Sequence, residues 1–305
     1  MQSIKTVGII GLGALGALYT NLFTQALGKE HVLVLADSSR IQRYRQEGLY
    51  YNGELADFNY TVANDVQDPV DLLIFASKFG GLHESIETCR HLVGPETTLI
   101  SVLNGISSEQ ILSETFSPDQ VVWCTAQKMG AKKEANHVTI FPVGELALGI
   151  PDGVNDAHFR RLLPFLDSIN FPYSLPEDIQ KHSWSKLLCN TGCNQANIVF
   201  QCSYQTLQTP GKPRNTMIEA MREVVLVANA EGIALSESDV ENWVSVIDSL
   251  PPDGESSMRQ DGKAHRKSEV ELFAGTIRKL AQKHGIAVPV NDWLYEEILK
   301  MEASY

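Results

Sequence analysis

The chain has 305 residues, a hydrophobic fraction of 43% and a formal net charge of −12 at pH 7, which describes an ordinary globular protein long enough for two domains. Because proteins that bind nucleic acid present basic surfaces, the acidic balance argues against a nucleic-acid partner, and an anionic ligand would have to be met by individually placed cations. No run reaches about 18 uninterrupted apolar residues, so we expect no membrane span.

The first predicted element is a short buried strand, residues 7–10, that leads into a glycine-rich turn. The turn has G-x-G-x-x-G spacing and opens a helical pattern; it is formed by Gly11, Leu12, Gly13, Ala14, Leu15 and Gly16. In a dinucleotide site these glycines permit a tight turn, close approach of a pyrophosphate and close packing of helix on strand. The N–H groups that begin the helix would receive the phosphates. A βα turn without a ligand is the alternative interpretation.

A second predicted strand, residues 31–36, ends in Asp37. An acidic residue about 20 residues after the glycine motif binds a ribose 2′-hydroxyl in dinucleotide sites, so the whole segment fits the fingerprint. Arg40 follows closely and could pair with a 2′-phosphate if Asp37 turns away.

Strands and helices continue to alternate as far as residue 149, which predicts an α/β Rossmann domain with a mostly parallel, doubly wound sheet. Strands are predicted at 70–77, 98–103, 121–125 and 138–141, with a helical connection at 83–92 and an antiparallel edge strand at 144–150. Lys78 and Asn104 each follow a strand directly, at the edge where ligands gather in open sheets. Either could instead be a solvent-facing strand end, and Asn104 could belong to a simple turn with the glycine after it.

The second half of the chain is predicted to be helical. A helix at 157–169 and a proline-containing linker at 171–177 precede helical runs at 179–200, 215–231, 237–249 and 267–284. Gly232 and Gly285 stand where helices end, and residues 210–214 and 251–256 form the clearest loops. We therefore expect a Rossmann dinucleotide-binding domain over residues 1–172, followed by an all-α C-terminal domain over residues 173–305.

Three polar side chains recur at helical spacing near the start of this second domain. Lys186, Asn190 and Asn194 are four residues apart, so on a continuous helix they form one strip. The surrounding residues are mostly apolar, and buried polar groups need partners, which favours a ligand over the alternative of a solvated stripe.

Two further residues, Ser257 and Glu269, have ordinary structural interpretations. Taken alone, Ser257 is typical of a helix cap and Glu269 of an acid in the first turn of a helix. The five cysteines are odd in number and form no C-x-x-C pair. They predict reduced thiols in a cytoplasmic protein and no metal site.

Taken together, these motifs resemble the ketopantoate reductase (2-dehydropantoate 2-reductase) family over essentially the whole chain. The resemblance rests on pieces that occur in family order at family-like spacing: the glycine motif, Lys78, Asn104 with Gly105, Lys186 with Asn190 and Asn194, residues 256–261, and Ser268 with Glu269.

The resemblance implies reduction of ketopantoate to pantoate with NADPH, a step of pantothenate and coenzyme A synthesis. It implies that Lys186 is the general acid, a role that suits an ammonium held near a developing alkoxide. It further implies that the cofactor is contacted by the glycine motif, Arg40, Lys78, Asn104 and Glu269. The implied substrate contacts are Asn104, Lys186, Asn190, Asn194 and Ser257.

Two positions depart from the family pattern and leave alternatives open. Gln195 stands where proline is common, and Tyr204 stands where some members have a substrate-binding asparagine, so the substrate could be another 2-keto acid. Asp37 keeps NAD open as the cofactor. A β-hydroxyacid dehydrogenase and a non-catalytic nucleotide-sensing protein are the rival functions. The segment Ser257-Met258 with Glu269 argues against the first, and Lys186 together with Asn190 and Asn194 argues against the second. Helical second domains of this kind often form homodimers.

Overall fold

The computed structural model describes residues 3–305 of the chain and separates them into two units. The first unit comprises the residues up to Asn104 together with Ser108–Ile179, and the second comprises Gly105–Ser107 and Gln180–Tyr305. The division follows Ile179, a few residues beyond the boundary expected at 172/173.

All strands found among residues 3–305 lie in the first unit. They are β1 (Val7–Ile10), β2 (Val32–Ala36), β3 (Tyr50–Tyr51), β4 (Glu54–Leu55), β5 (Asn59–Val62), β6 (Leu72–Phe75), β7 (Thr98–Ser101), β8 (Val121–Gln127), β9 (Ala131–Glu134), β10 (His137–Ile140), β11 (Glu145–Gly149) and β12 (Tyr173–Ser174).

Helices occur in both units. They are α1 (Ala14–Leu27), α2 (Ser38–Glu47), α3 (Leu82–Cys89), α4 (Ser107–Thr115), α5 (Ala157–Ser168), α6 (Ile179–Cys189), α7 (Gln195–Val199), α8 (Tyr204–Gln208), α9 (Lys212–Ala230), α10 (Glu237–Asp248), α11 (Ser257–Lys263), α12 (Ala274–His284) and α13 (Pro289–Glu302).

The main sheet has the order β12-β11-β8-β7-β6-β1-β2-β5. From β5 to β8 all neighbours are parallel, and the order of these six strands is that of a doubly wound dinucleotide-binding sheet. The expected fold class, a mostly parallel Rossmann sheet followed by an all-α region, is confirmed.

Successive residues of the central strands β1, β6 and β7 are buried on opposite faces of this sheet. Ile9 packs on one face, in a cluster with Phe23 of α1 and Phe165 of α5, whose rings stack with centroids 6.0 Å apart. Ile10 packs on the opposite face, in a cluster with Leu82 of α3. Because the central strands are covered on both faces, they are apolar runs rather than alternating ones, which explains why the sequence predicts them. The edge strand β5, with the sequence NYTV, is only half-buried and is not predicted.

The expected edge of the sheet is wrong. β11 does pair antiparallel with β8, but it also pairs in parallel with β12, which lies within residues 171–177 and is therefore no linker. The prolines of that segment do not prevent this pairing, because Pro172 supplies its carbonyl to the N–H of Leu146 at 3.2 Å.

A second, four-stranded sheet has the order β4-β3-β10-β9 and was not predicted. The strand expected at 138–141 is β10, which belongs to this sheet and not to the main one. Its buried residues Val138 and Ile140 join the core cluster around α1. Strands of only two residues, such as β3 and β4, carry no detectable periodicity, so sequence reasoning missed them.

The helical run expected over 179–200 is interrupted. Residues Asn190–Asn194 form a π-helical turn between α6 and α7. Two further bounds differ from expectation: α9 begins at Lys212, inside the loop expected at 210–214, and the run expected at 267–284 is helical in the α sense only from Ala274. Gly285 ends α12 in the left-handed conformation, as its position predicts.

A buried polar network joins the helices of the second unit. Gln195, which is fully buried, donates from Nε2 to the carbonyl of Thr191 at 2.7 Å and to Asn291 Oδ1 at 3.2 Å. Its Oε1 accepts the N–H of Ala274 at 3.1 Å. Asn291 Nδ2 in turn donates to Glu223 at 2.8 Å, and burial raises the pKa of that carboxyl. Satisfied polar groups of this kind fix how helices pack against one another.

Among residues 3–305, no helix combines the length and the apolar composition that a membrane crossing requires.

Candidate functional site

The glycine turn lies where the strand order of the main sheet reverses. β1 pairs with β2 on one side and with β6 on the other, so its carboxyl end opens at the topological switch point. In open α/β sheets ligands bind at this point. The turn is therefore the candidate ligand site of the first unit.

The three glycines of the turn have different reasons for lacking a side chain. Gly11 has a φ of 101°, and a Cβ there would lie 2.3 Å from the backbone nitrogen of Ser77. A Cβ on Gly16 would lie 1.9 Å from the carbonyl oxygen of Gly11. Gly13 has a φ of −79°, which any residue adopts, and the nearest atom to its Cβ would be Ala76 O at 3.8 Å. Packing thus requires two of the glycines, while the third leaves open space beside the turn.

The same open space borders the beginning of α1. Gly13 is the N-cap residue and makes no side-chain cap, and the first turn contains no acidic residue. The N–H groups of a first helical turn have no acceptor within their helix and attract anions. This end of α1 therefore suits a phosphate group.

Sequence reasoning missed one residue at this turn. Lys133, on β9, donates from Nζ to the carbonyl of Leu12 at 2.5 Å. No sequence signal indicates it, because β9 has only four residues, AKKE, and the half-burial of Lys133 beside the exposed Lys132 appears only in the structure.

Asp37 does not turn away from the helix that follows it. Its Oδ1 accepts the N–H groups of Ser39 and Arg40, both at 2.9 Å, and thereby caps α2. Hydrogen bonds from the Ser39 hydroxyl and the Arg40 N–H lower the pKa of Asp37. Arg40 forms ion pairs with Glu84 at 3.0 Å and with Asp37 at 3.4 Å. A phosphate contact by Arg40 was expected only if Asp37 turned away from it, and in the structure Asp37 does not turn away.

Lys78 and Asn104 both follow strands that end earlier than expected. The strands end at Phe75 and Ser101, which are paired in register, so neither polar residue follows its strand directly. Lys78 is exposed and precedes a 3₁₀ turn, whereas Asn104 is half-buried and is the last residue of its part of the first unit. Both remain on the carboxyl edge of the sheet.

In the second unit, the predicted strip lies at the end of α6 and in the π-helical turn. Lys186 is half-buried in the last turn of α6. Asn194 Nδ2 approaches Asn190 Oδ1 at 3.4 Å, so the two amides are adjacent. π-helical turns are rare and occur frequently at functional sites. An ammonium and two amides in this setting can bind a carbonyl, hydroxyl or carboxylate group.

Packing explains why a glycine lies within the π-helical turn. A Cβ on Gly192 would lie 2.7 Å from the carbonyl of Met217 and 2.5 Å from the Met221 side chain, both on α9. Burial raises the pKa of the neighbouring Cys189 to about 12, with the charge of Lys186 opposing this shift. The Cys189 thiol is therefore neutral and is no nucleophile at ordinary pH.

Ser257 and Glu269 do not have the structural roles expected of them. The cap of α11 is Ser256, which accepts the N–H of Arg259 at 3.3 Å and is held by the side chain of Asn197. Ser257 is instead an exposed first residue of that helix. Glu269 precedes a 3₁₀ turn and lies outside α12, so it is no first-turn acid of an α-helix.

Of the two departures from the family pattern, Gln195 is fully buried and Tyr204 is half-buried. Gln195 belongs to the buried network described above. Burial, with smaller contributions from Cys193 and Cys189, raises the pKa of the Tyr204 hydroxyl well above its ordinary value. Gln195 therefore has a structural role that the sequence does not indicate.

Comparison with known proteins matches both units to one family. The family model "Ketopantoate reductase PanE/ApbA" matches residues 7–153, and "Ketopantoate reductase PanE/ApbA C terminal" matches residues 178–302. A 2-dehydropantoate 2-reductase of Halobacterium salinarum is 29% identical over 93% of this chain and 94% of its own length. That of Aquifex aeolicus is 23% identical, covering 96% of each chain.

Solved structures share the fold over nearly the whole length. A ternary complex of D-mandelate dehydrogenase with NADH and anilino(oxo)acetate has a TM-score of 0.86 at 24% identity, covering 98% of this chain and 99% of that one. A dimeric ketopantoate reductase of Staphylococcus aureus has a TM-score of 0.80 at 23% identity, with the same coverage.

The difference between Gly13, which has open space beside it, and Gly16, which packing requires, can be tested by measuring the stability of alanine variants. We expect Gly13→Ala to change the free energy of unfolding by no more than about 1 kcal/mol, because the backbone is ordinary and the space is open. Gly16→Ala should destabilise the protein clearly more, because its Cβ would overlap a carbonyl oxygen. Urea unfolding of both variants without added ligand measures the difference, and equal losses would contradict this account of the turn.

Proposed function

The chain belongs to the ketopantoate reductase family, and from that membership we propose that it reduces 2-dehydropantoate (ketopantoate) to pantoate with NADPH, for pantothenate synthesis. The observation that carries the proposal is the half-buried Lys186 followed by the adjacent amides of Asn190 and Asn194 in a π-helical turn. A non-catalytic nucleotide sensor has no need for a proton donor.

The first unit fits a nicotinamide dinucleotide. Gly13 has open space beside it, which a Cβ at this position would narrow. The first turn of α1 has no side-chain cap and no acidic residue. Both features suit the binding of a diphosphate. When bound, the cofactor supplies the hydride. We assign the glycine motif, with Lys78, Asn104 and Glu269, to cofactor binding.

Lys186 is the proposed general acid. Its ammonium stabilises negative charge that develops on the carbonyl oxygen as the carbonyl carbon accepts the hydride. The proton then moves from Lys186 Nζ to that oxygen, which leaves a neutral amine and a hydroxyl group. Solvent returns the proton to the amine, so charge and atoms balance over one turnover.

We propose that the amides of Asn190 and Asn194 and the hydroxyl of Ser257 hold the rest of the substrate. Asn190 and Asn194 offer both donors and acceptors, which suits the carboxylate and the hydroxyl of a ketopantoate molecule. Asn104 and the exposed Ser257 complete the proposed contacts. A dimer is also proposed, since the Staphylococcus aureus relative is named as dimeric.

A second candidate is NADH-dependent reduction of another 2-keto acid. The ion pairs of Arg40 with Glu84 and Asp37 favour it, because a guanidinium engaged by two carboxylates is not prepared for a phosphate. The D-mandelate dehydrogenase with the same fold is itself described with NADH. The family membership still makes NADPH and ketopantoate the first proposal.

A substrate and cofactor panel tests the proposed function. Purified protein is assayed for oxidation of NADPH and of NADH with ketopantoate, 2-oxoisovalerate and phenylglyoxylate. We expect the highest kcat/KM for ketopantoate with NADPH. Preferred turnover of phenylglyoxylate with NADH would support the second candidate, and binding of nucleotide without turnover of any keto acid would indicate a sensor.

If Lys186 is the general acid, its removal should lower the rate of the reaction without changing the affinity for the cofactor. Loss of a positioned general acid lowers a rate by about 10²–10⁴-fold, so Lys186→Ala should lower kcat to that extent and leave the cofactor Kd nearly unchanged. Lys279→Ala, which removes an exposed lysine of the same unit, serves as the control. A Lys186→Ala enzyme with kcat within threefold of native would contradict the assignment.

If Arg40 contributes to the choice of cofactor, substitutions of Arg40 and of its partner Glu84 should change the affinity for NADPH in opposite directions. If Arg40 binds the 2′-phosphate, Arg40→Ala should weaken NADPH by about tenfold or more, as expected for a charge-assisted bond, and leave NADH unchanged. Glu84→Gln should strengthen NADPH, because it removes a carboxylate that competes for the guanidinium. Fluorescence titration measures both, with Arg90→Ala as control; equal losses of both cofactors in Arg40→Ala would exclude a phosphate contact.

A further inference from the structure

The contact between Lys133 and the glycine turn has no counterpart in the function described so far. β9 pairs antiparallel with β10, and β10 anchors the small sheet to the core through Val138 and Ile140. Alternation along β9 directs Lys133 inward, where its Nζ donates to the carbonyl of Leu12 at 2.5 Å. Lys132 faces the other way and pairs with Glu134 at 2.8 Å. The fold thus places one lysine of an adjacent pair on the turn and leaves the other in solvent.

The surroundings of Lys133 disfavour the charged form of its side chain. Burial, and then the charge of Arg43, lowers the pKa of Lys133, and Glu47 opposes this shift. All three side chains line one cavity of about 550 Å³ beside Leu12. Desolvating an ammonium is unfavourable, and a neutral amide could satisfy a single carbonyl at a smaller cost. The positive charge therefore has a use beyond holding the hairpin in place.

The turn itself indicates that use. Leu12 lies between the two glycines at which the backbone turns into α1, and consecutive Cα atoms are about 3.8 Å apart. An anion on the N–H groups of the turn thus experiences this ammonium within a Debye length of about 8 Å. Since the chain carries a net charge of −12, its overall field repels such an anion, and a local cation has to offset that repulsion.

We propose that Lys133 is a further cofactor-binding residue: it fixes the Leu12 carbonyl, which orients the N–H groups of the glycine turn, and it supplies the positive charge that the cofactor diphosphate requires. This inference rests on the proposed function. It assigns Lys133 to the diphosphate common to NADPH and NADH, so Lys133 affects affinity for both and does not select between them.

Three variants separate charge from shape. Lys133→Gln keeps an N–H donor and removes the charge, Lys133→Arg keeps the charge, and Lys132→Gln makes the same charge change on the outer side of the strand. The Kd values of NADPH, NADH and ADP-ribose are measured by calorimetry at two salt concentrations. Adenosine, which has no phosphate, is the comparison ligand, and melting temperatures report folding.

The expected result is a selective loss for diphosphate ligands. Lys133→Gln should weaken NADPH, NADH and ADP-ribose alike by about tenfold or more, leave adenosine unchanged and reduce the salt dependence of binding. Lys133→Arg should recover most of the affinity, and Lys132→Gln should equal native protein. If Lys133→Gln does not fold, recovery of native affinity and salt dependence in Lys133→Arg still has to hold.

Other outcomes overturn the inference. Native affinity in folded Lys133→Gln, or equal losses in Lys133→Gln and Lys133→Arg, would show that the charge is not used. Equal losses in Lys132→Gln would indicate the general field of the protein. Native protein that binds no nucleotide overturns the proposed function and this inference together, whereas native binding with an indifferent Lys133 overturns this inference alone.

Discussion

The close approach of two backbone segments at the glycine turn is the constraint on which the first unit depends. Gly11 lies against the backbone after β6, and Gly16 lies against the carbonyl of Gly11, at distances that no Cβ could occupy. These two contacts fix the direction of α1 relative to β1 and so determine where its N-terminal N–H groups point. Gly13 is under no such constraint, and its open side is where the structure leaves room for a ligand. A turn that served packing alone would not need this third glycine.

Electrostatics then limits what this acidic chain can bind. With a net charge of −12, anionic ligands depend on individual cations, and the structure places them separately. Lys133 reaches the glycine turn from the small sheet, and Lys186 lies half-buried in the second unit, in the last turn of the helix that leads into Asn190–Asn194. Arg40, by contrast, already forms ion pairs with two carboxylates, and these ion pairs bear on the choice between NADPH and NADH. The proposed chemistry thus rests on two lysines with different tasks, one for a phosphate group and one for a proton.

The sequence predicts those features that come from long periodic segments or fixed spacing. The buried parallel strands of the main sheet from β2 to β8, the glycine motif and the helical second half are of this kind, whereas the half-buried edge strand β5 is not predicted. The sequence does not predict features that depend on very short strands or on tertiary contacts. The two residues of β12 lie between two prolines, a pattern typical of a linker. The small sheet that carries Lys133 has strands too short to show periodicity. The π-helical turn is not predicted either, since spacing along the chain does not reveal the close packing of its Gly192 against α9. The buried network of Gln195 is not predicted either, because an amide network cannot be recognised from one of its members.

Transfer of hydride to ketopantoate is the central claim, and isotope transfer tests it most directly. The protein is incubated with ketopantoate and NADPH that carries deuterium at both C4 positions of the nicotinamide, and the pantoate is analysed by mass spectrometry. The account predicts pantoate that carries one deuterium at C2, formed in step with oxidised cofactor. Cofactor that keeps both deuterium atoms, or oxidation without deuterated pantoate, would contradict it.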